Sequence, residues 1–219
     1  MTQLTNDREE IPVIAWLTTM ITLIAAFAAW GQYHHWSLTD LSIYQIFPLF
    51  GLFAFSLLWS QYMMLSLQKF WQTEPQKLAP YFKVTGFLVL AAIIMHPMLL
   101  ILQLCRDGFG LPPQSYLQHF VAPGLGWVTI LGTISFCIFG IYELWRLLGH
   151  VQWLRAIVYA ADAAMCMVFY HGLQLGDQLQ TGWYPVLWIC YGVCLLIAVP
   201  YLRWSDFKPH ANWPIEKDV

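Results

Sequence analysis

Two apolar stretches decide the fold: FLVLAAIIMHPMLLIL at residues 87–102 and YAADAAMCMVFYHGLQLG at residues 159–176. Each belongs to an apolar run about as long as a bilayer is thick. Each also contains one histidine, His96 in the first and His171 in the second. Because a histidine inside a membrane span is energetically costly, it marks a candidate functional site.

The composition extends this pattern to the whole chain. The 219 residues are 59% hydrophobic and only 10% charged, which is typical of a multi-span membrane protein. We therefore expect an all-α fold, a six-helix transmembrane bundle over residues 11–204, with an N-tail at 1–10, a C-tail at 205–219 and no room for a nucleotide-binding domain. The apolar runs that predict the spans are 11–31, 42–66, 84–104, 121–145, 156–174 and 183–202.

The positive charges predict the orientation. With these spans, the two tails, the second-to-third loop and the fourth-to-fifth loop carry nine of the ten Lys and Arg residues, and Arg106 is the exception. By the positive-inside rule both termini are cytoplasmic. The acidic start MTQLTNDREE lacks a basic n-region, so the first run predicts an uncleaved span. The expected location is a cell membrane, multi-pass, with a bacterial inner membrane favoured.

Several classes of function are disfavoured by the sequence. The five cysteines form no C-x-x-C pair, which argues against a disulfide framework and an iron–sulfur cluster. The net charge of −2, without a basic stripe or a Gly-rich phosphate loop, predicts no nucleic-acid partner. The lipid bilayer is the expected environment.

The two histidines are predicted to lie at similar depth. His96 is thirteen residues past Lys83 and His171 is sixteen past Arg155, which corresponds to about 20 Å and about 24 Å along a helix. Two imidazoles at one level on parallel helices suit the axial ligation of one b-type haem. The alternative is that each is a polar strut bonded to a neighbouring helix. The small residues nearby either leave room for a macrocycle or mark close helix packing.

Other polar residues give weaker predictions. Asp162 lies nine residues from His171 and out of phase with it, so we expect a hydrogen bond from Ser135 or Thr133, with a proton path as the alternative. Three further histidines are predicted in external loops, where they either bind a metal ion together or form solvated surface. These are His34, His35 and His119.

The segments GFLVLAAIIMHPML (86–99) and WLRAIVYAADAAMCMVFYHGLQLG (153–176) resemble the ferric reductase-like transmembrane domain. The resemblance implies six helices and a haem ligated by histidines on the third and fifth, here His96 and His171, which would bind the haem iron. Two-haem members carry a second histidine roughly four helical turns earlier on each helix. This chain has Phe82 and Lys83, and Ile157 and Val158, at those positions. The resemblance therefore implies a single haem b, as in the STEAP arrangement, in which a flavin fills the inner position.

These observations predict a membrane b-type cytochrome. It would pass electrons from a cytoplasmic donor linked to flavin or NAD(P)H, such as a flavin reductase, to an external metal ion, quinone, oxygen or protein. Lys83 and Arg155 at the cytoplasmic ends of the two spans would contact the phosphate of FAD or FMN. Lys77, Arg146 and Arg203 would extend this basic patch. The alternative is that these basic side chains only fix the topology by reaching the lipid headgroups. Whether the chain is an enzyme stays open, because three classes of protein fit the sequence. They are a ferric reductase-like oxidoreductase, a non-catalytic haem relay subunit of a larger redox complex, and a haemless permease or assembly protein.

Overall fold

The computed structural model describes residues 3–37, 39, 41–148 and 156–207. These residues form helices and no strand, as the composition predicts. A 3₁₀ helix at Asp177–Leu179 precedes the last helix. The α-helices are α1 (Gln3–Tyr33), α2 (Ile43–Phe70), α3 (Pro75–Arg106), α4 (Gln114–His119), α5 (Gly126–Leu148), α6 (Ile157–Leu175) and α7 (Tyr184–Phe207).

Five helices in the described part of the chain are long and apolar enough to cross a membrane, namely α1, α2, α3, α5 and α7. The fifth predicted span corresponds to α6, which has 19 residues and carries both Asp162 and His171. These polar side chains lower its apolarity, and it is not among those five. A multi-span membrane protein is therefore supported, whereas a membrane-spanning α6 stays a prediction.

The helix boundaries differ from the predicted spans where polar residues continue a helix. The third helix begins at Pro75 rather than at residue 84, because proline is well tolerated in the first helical turn. The prediction that Arg146 lies in a loop and Arg203 in the C-tail is wrong, since they lie inside α5 and α7. Each arginine has a carboxylate partner, Glu143 for Arg146 and Asp162 for Arg203. Because these pairs compensate the positive charges, α5 and α7 can continue past the arginines.

Helix α2 lies at the centre of the bundle and packs against α1, α3 and α7. Aromatic side chains fill the contact between α2 and α7, where the rings of Phe55 and Trp188 stack with centroids 3.9 Å apart. One turn further, the indole of Trp59 donates a hydrogen bond to the carbonyl oxygen of Tyr191 at 3.1 Å. This aromatic contact fixes α7 against the helix that supports the candidate site.

Two helical hairpins face each other in the bundle. The first consists of α2 and α3, and the second of α5 and α6. They meet where α3 packs against α5 and where α2 packs against α6. His96 on α3 and His171 on α6 therefore belong to different hairpins.

Candidate functional site

His96 is held in place by the helix that precedes it in the chain. Its Nδ1 lies 2.9 Å from the backbone carbonyl oxygen of Phe47 on α2. Because a carbonyl oxygen only accepts, Nδ1 carries the ring proton in this bond and Nε2 keeps a lone pair. The ring also lies against Gly51, where a Cβ atom would stand 2.8 Å from Cε1 of His96. A side chain at Gly51 would therefore displace the ring.

His171 repeats this arrangement in the second hairpin. Its Nδ1 lies 2.9 Å from the carbonyl oxygen of Val128 on α5. A Cβ atom on Gly132 would stand 2.6 Å from Cε1 of His171. The ring is thus oriented by one carbonyl and one glycine, and its Nε2 also keeps a lone pair.

The two local structures are equivalent in sequence spacing and in position. Each accepting carbonyl belongs to the residue four positions before the glycine, and both Phe47 and Val128 lie in the first turns of their helices. Both rings therefore lie at the end of the bundle where α2 and α5 begin. We call Gly51, His96, Gly132 and His171 the histidine layer.

The donor set of the histidine layer is suited to a haem iron. A histidine that binds a metal through one ring nitrogen usually donates the other N–H to a carbonyl or carboxylate, and both rings here do so. Haem iron accepts imidazole as an axial ligand. No group of three or more His, Cys, Asp or Glu side chains within the described residues is arranged to hold a metal ion, and axial ligation needs only the two imidazoles.

A buried ion pair lies further along α5. Glu143 is fully buried, and its Oε2 lies 2.6 Å from Nη2 of Arg146. The guanidinium also donates to Oε1 of Gln61 at 3.1 Å and to the carbonyl oxygen of Phe82 at 2.9 Å. Gln61 in turn donates to the hydroxyl of Thr85 at 2.9 Å. These contacts connect α5 to both helices of the first hairpin.

A second ion pair connects α6 and α7. Arg203 contacts Asp162 through two nitrogens, with Nε 2.5 Å from Oδ2 and Nη2 2.9 Å from Oδ1. The hydroxyl of Tyr62 donates to the same carboxylate at 3.1 Å, and Arg203 also pairs with Asp206 at 3.0 Å. We call the residues of the two clusters the ion-pair layer: Gln61, Tyr62, Glu143, Arg146, Asp162 and Arg203.

The two layers share helices and are separated along them. Glu143 lies eleven residues after Gly132 on α5, and Tyr62 lies eleven residues after Gly51 on α2. On an α-helix this spacing corresponds to about 16 Å and returns to nearly the same face. The ion-pair layer therefore lies closer to the C-terminal ends of α2 and α5 than the histidine layer does, on nearly the same faces of these helices.

The structure corrects the predicted partners of Asp162. Ser135 donates instead to the carbonyl oxygen of Ala164 at 3.2 Å, and Thr133 donates to the carbonyl oxygen of Thr129 at 3.0 Å. The carboxylate of Asp162 therefore binds Arg203, which the sequence had assigned to the C-tail. Treating that arginine as a tail residue concealed the pair.

Glu143 was not identified from the sequence as a functional candidate. The signal was present, because a glutamate three residues before an arginine in an apolar helix is a recognisable intrahelical pair. A further signal was Gly86 on α3, whose missing side chain gives room to the guanidinium of Arg146. This glycine therefore accommodates an ion pair rather than a macrocycle.

Of the two residues predicted to contact a flavin phosphate, the structure describes one. The side chain of Lys83 is exposed on α3, and Arg155 lies outside the described residues. Arg146 and Arg203 are engaged by carboxylates, so they do not extend the predicted patch. Flavin binding stays a prediction that depends on Lys83 and Arg155.

Two of the three loop histidines, His34 and His119, pack against different aromatic side chains. His34 packs edge-on against the rings of Trp30 and Tyr33 beyond the end of α1. His119 ends α4 and stacks on Phe109, with ring centroids 4.3 Å apart. Each of these two rings thus has its own aromatic partner.

Comparisons with known protein families, with curated proteins and with solved structures give no match for this chain.

Proposed function

We propose that this chain is a six-span membrane b-type cytochrome in which His96 and His171 are the axial ligands of a single haem b. The observation that carries the proposal is the matched geometry of the two rings. Each holds its Nδ1 on a backbone carbonyl at 2.9 Å, packs on a glycine four residues further along that helix, and keeps Nε2 for a ligand. Two unrelated packing histidines would have no reason to share this arrangement.

The resemblance of the two histidine segments to the ferric reductase-like transmembrane domain supports the same proposal. That family ligates haem through histidines on corresponding helices. On this proposal the protein passes electrons from a cytoplasmic donor, such as a flavin reductase, to an external acceptor. The proposed location is a cell membrane, with both termini in the cytoplasm.

The chain's own residues have separate roles in this proposal. Bound haem would supply the one-electron couple of its iron. The carbonyls of Phe47 and Val128 fix the tautomer and the orientation of the ligand rings and increase their basicity. Gly51 and Gly132 leave room for the rings beside the supporting helices. The apolar helices around them exclude water and, together with two neutral ligands, set the reduction potential.

Ligation is tested by absorption spectra of the purified protein. We expect His96→Ala and His171→Ala each to abolish the low-spin b-type spectrum, because both imidazoles are needed for six-coordination. His119→Ala, which changes an exposed histidine, is the matched control and should leave the spectrum unchanged. A variant His171→Gly with added imidazole should regain the spectrum, which separates lost ligation from misfolding. A normal six-coordinate spectrum in either alanine variant would disprove the assignment.

The direction of electron flow is tested by topology. Reporter fusions after Phe207 should be cytoplasmic, and fusions after Gly108 should be external, because Lys and Arg are concentrated at the ends of the helices opposite Gly108. The reverse result would place the histidine layer near the cytoplasm and overturn the proposed direction.

Reduction assays separate an enzyme from a relay subunit. Membranes containing the protein would receive a flavin reductase, NAD(P)H and a ferric chelate. Ferric reduction above the rate of the His96→Ala variant would favour a reductase. Reduced haem without ferric reduction would favour a relay within a larger redox complex.

A further inference from the structure

Phe47 contacts His96 through its backbone and also through its side chain. Its carbonyl oxygen lies 2.9 Å from Nδ1 of the imidazole. Its phenyl ring lies beside the imidazole ring, with ring centroids 5.2 Å apart and an angle of 41° between the two planes. Because this second contact restricts rotation about the hydrogen bond, the plane of the His96 ring depends on where the phenyl ring of Phe47 is held.

Phe120, the residue after α4, packs against the phenyl ring of Phe47. The two rings meet edge to face with centroids 5.5 Å apart, which is a favourable geometry for an aromatic pair. Phe120 also stacks on Tyr44, with ring centroids 5.9 Å apart. Tyr44 lies three residues before Phe47 on α2, so both rings project from the same face of this helix. A single side chain from outside α2 thus contacts the first turns of the helix at two points.

The position of Phe120 is fixed by contacts with the ends of α2, α3 and α4. Its backbone N–H donates to the carbonyl oxygen of Tyr116 at 3.1 Å, where α4 ends. Tyr116 packs against a buried cluster that contains Phe47. The hydroxyl of Tyr44 donates to Oδ2 of Asp107 at 2.6 Å, directly after α3. Although Phe120 is 42% exposed, these contacts make it part of the packing around the first turns of α2.

His171 is supported differently. The residue whose carbonyl oxygen accepts from His171 is Val128, which is fully buried and has an aliphatic side chain. Val128 therefore supplies an acceptor, as Phe47 does, but no aromatic ring. A change at Phe120 should consequently act on one histidine and leave the other in place. This asymmetry makes His171 an internal control.

We propose that Phe120 is a positioning residue for His96: it holds the phenyl ring of Phe47 against the imidazole and thereby fixes the plane of that ring. The packing itself does not depend on haem. Its consequence rests on the proposed function, because contacts around a ligating histidine orient that ligand and tune the metal. Phe120 would then set the angle of one axial ligand plane relative to the other without touching the iron.

The positioning role is tested by nuclear magnetic resonance of the full-length apoprotein in detergent, with histidine labelled by the heavy nitrogen isotope. The alanine variants of His96 and His171 assign the ring-nitrogen resonances. We expect Phe120→Ala to shift the resonances of His96, because its ring loses support and its bond to the carbonyl oxygen changes, and to leave those of His171 in place. If this variant does not fold, Phe120→Leu, which keeps an apolar side chain without a ring, replaces it with the same expectation. Unchanged resonances of His96 in the folded variant would overturn the proposal.

Two variants serve as controls. Phe109→Ala removes the same type of side chain from the same connection between α3 and α5, where Phe109 is also 42% exposed but stacks on His119. It should leave the resonances of His96 unchanged. Phe120→Tyr keeps the aromatic ring and should also give the wild-type resonances. If either control shifted His96 as much as Phe120→Ala does, the contact with Phe47 would not be the cause and the proposal would be overturned.

The consequence for haem is tested in the purified holoprotein. Phe120→Ala should retain its haem but shift the low-spin ferric signal in electron paramagnetic resonance, because that signal depends on the angle between the two imidazole planes. Release of haem to a haem-scavenging protein should become about two- to tenfold faster. A wild-type signal and a wild-type release rate in Phe120→Ala would overturn the role of Phe120 at the haem. Wild-type protein that binds no haem would disprove the proposed function, and the histidine resonances would then still decide whether Phe120 positions His96.

Discussion

The histidine layer and the ion-pair layer share helices α2, α5 and α6, but they satisfy their polar side chains in opposite ways. In the histidine layer each ring uses Nδ1 for a carbonyl and keeps Nε2 without a protein donor. In the ion-pair layer each charged side chain has a counter-charge within the bundle. The histidine layer thus leaves one nitrogen of each ring able to accept, whereas the ion-pair layer pairs opposite charges of the chain's own side chains.

The comparison also bears on how many haems the bundle would hold. Arg146 binds the carbonyl of Phe82, a residue at the level where two-haem members of the resembled family have a second histidine. On the single-haem proposal, the Glu143–Arg146 ion pair occupies this level and no second pair of ligands is needed. The single-haem proposal therefore agrees with the contents of both layers.

Breaking the ion pair of α5 should have the largest effect on stability. Glu143→Leu leaves the partly buried Arg146 charged without its carboxylate, which should lower the free energy of unfolding by up to about 3–5 kcal/mol. Replacing both residues, with Glu143→Leu and Arg146→Met, should recover most of that loss because no unpaired charge remains. Unfolding in detergent, followed by circular dichroism, measures both. If the double variant were as unstable as the single one, the buried charge would not be the cause.

Filling the glycines of the histidine layer should affect haem more than stability. Gly51→Ala and Gly132→Ala each place a methyl group within 3 Å of the ring of His96 or His171, so the ring must shift and weaken its hydrogen bond to the carbonyl oxygen. We expect haem affinity to fall by about five- to a hundredfold, which corresponds to about 1–3 kcal/mol.

Gly140→Ala provides the control on the same helix as Gly132, because nothing in the described structure lies within 4 Å of its added Cβ. Haem titration of the apoprotein should give the wild-type affinity for this variant. Equal affinities for Gly132→Ala and Gly140→Ala would show that the packing of His171 on glycine has no role in ligation.

Removing a neutral member of the ion-pair layer should have the smallest effect. Tyr62→Phe deletes the hydroxyl that donates to Asp162 but leaves that carboxylate paired with Arg203. Interhelical hydrogen bonds in membrane proteins contribute on average about 0.6 kcal/mol and at most about 1.7 kcal/mol, so unfolding should change by no more than this. The reduced-minus-oxidised haem spectrum should not change, since the hydroxyl of Tyr62 lies about three helical turns from the histidine layer along α2. A changed spectrum would mean that the two layers are coupled.

The sequence predicted the helices better than it predicted the contacts between them. Apolar run length depends on local composition, so α1, α2, α5 and α7 lie close to their predicted spans. The pairing of Asp162 with Arg203 depends on which helices meet and how far α7 continues. Neither follows from composition, and a charge count that treats Arg203 as a tail residue conceals its role.

The glycines and carbonyl groups that position the two histidine rings could not be predicted from the sequence. Nothing in the spacing of Gly51 or Gly132 distinguishes them from glycines that serve ordinary helix packing. Their role becomes visible only when the rings of His96 and His171 are found against them. The same holds for the accepting carbonyls, because a backbone acceptor has no sequence signature.

The most direct test of the central proposal is the haem content and spin state of the purified wild-type protein. A pyridine haemochrome assay together with electron paramagnetic resonance would measure both. The proposal predicts one haem b per chain and a low-spin ferric signal from two imidazole ligands. A preparation that binds no haem b when haem is supplied, or one with two haems per chain, would contradict it.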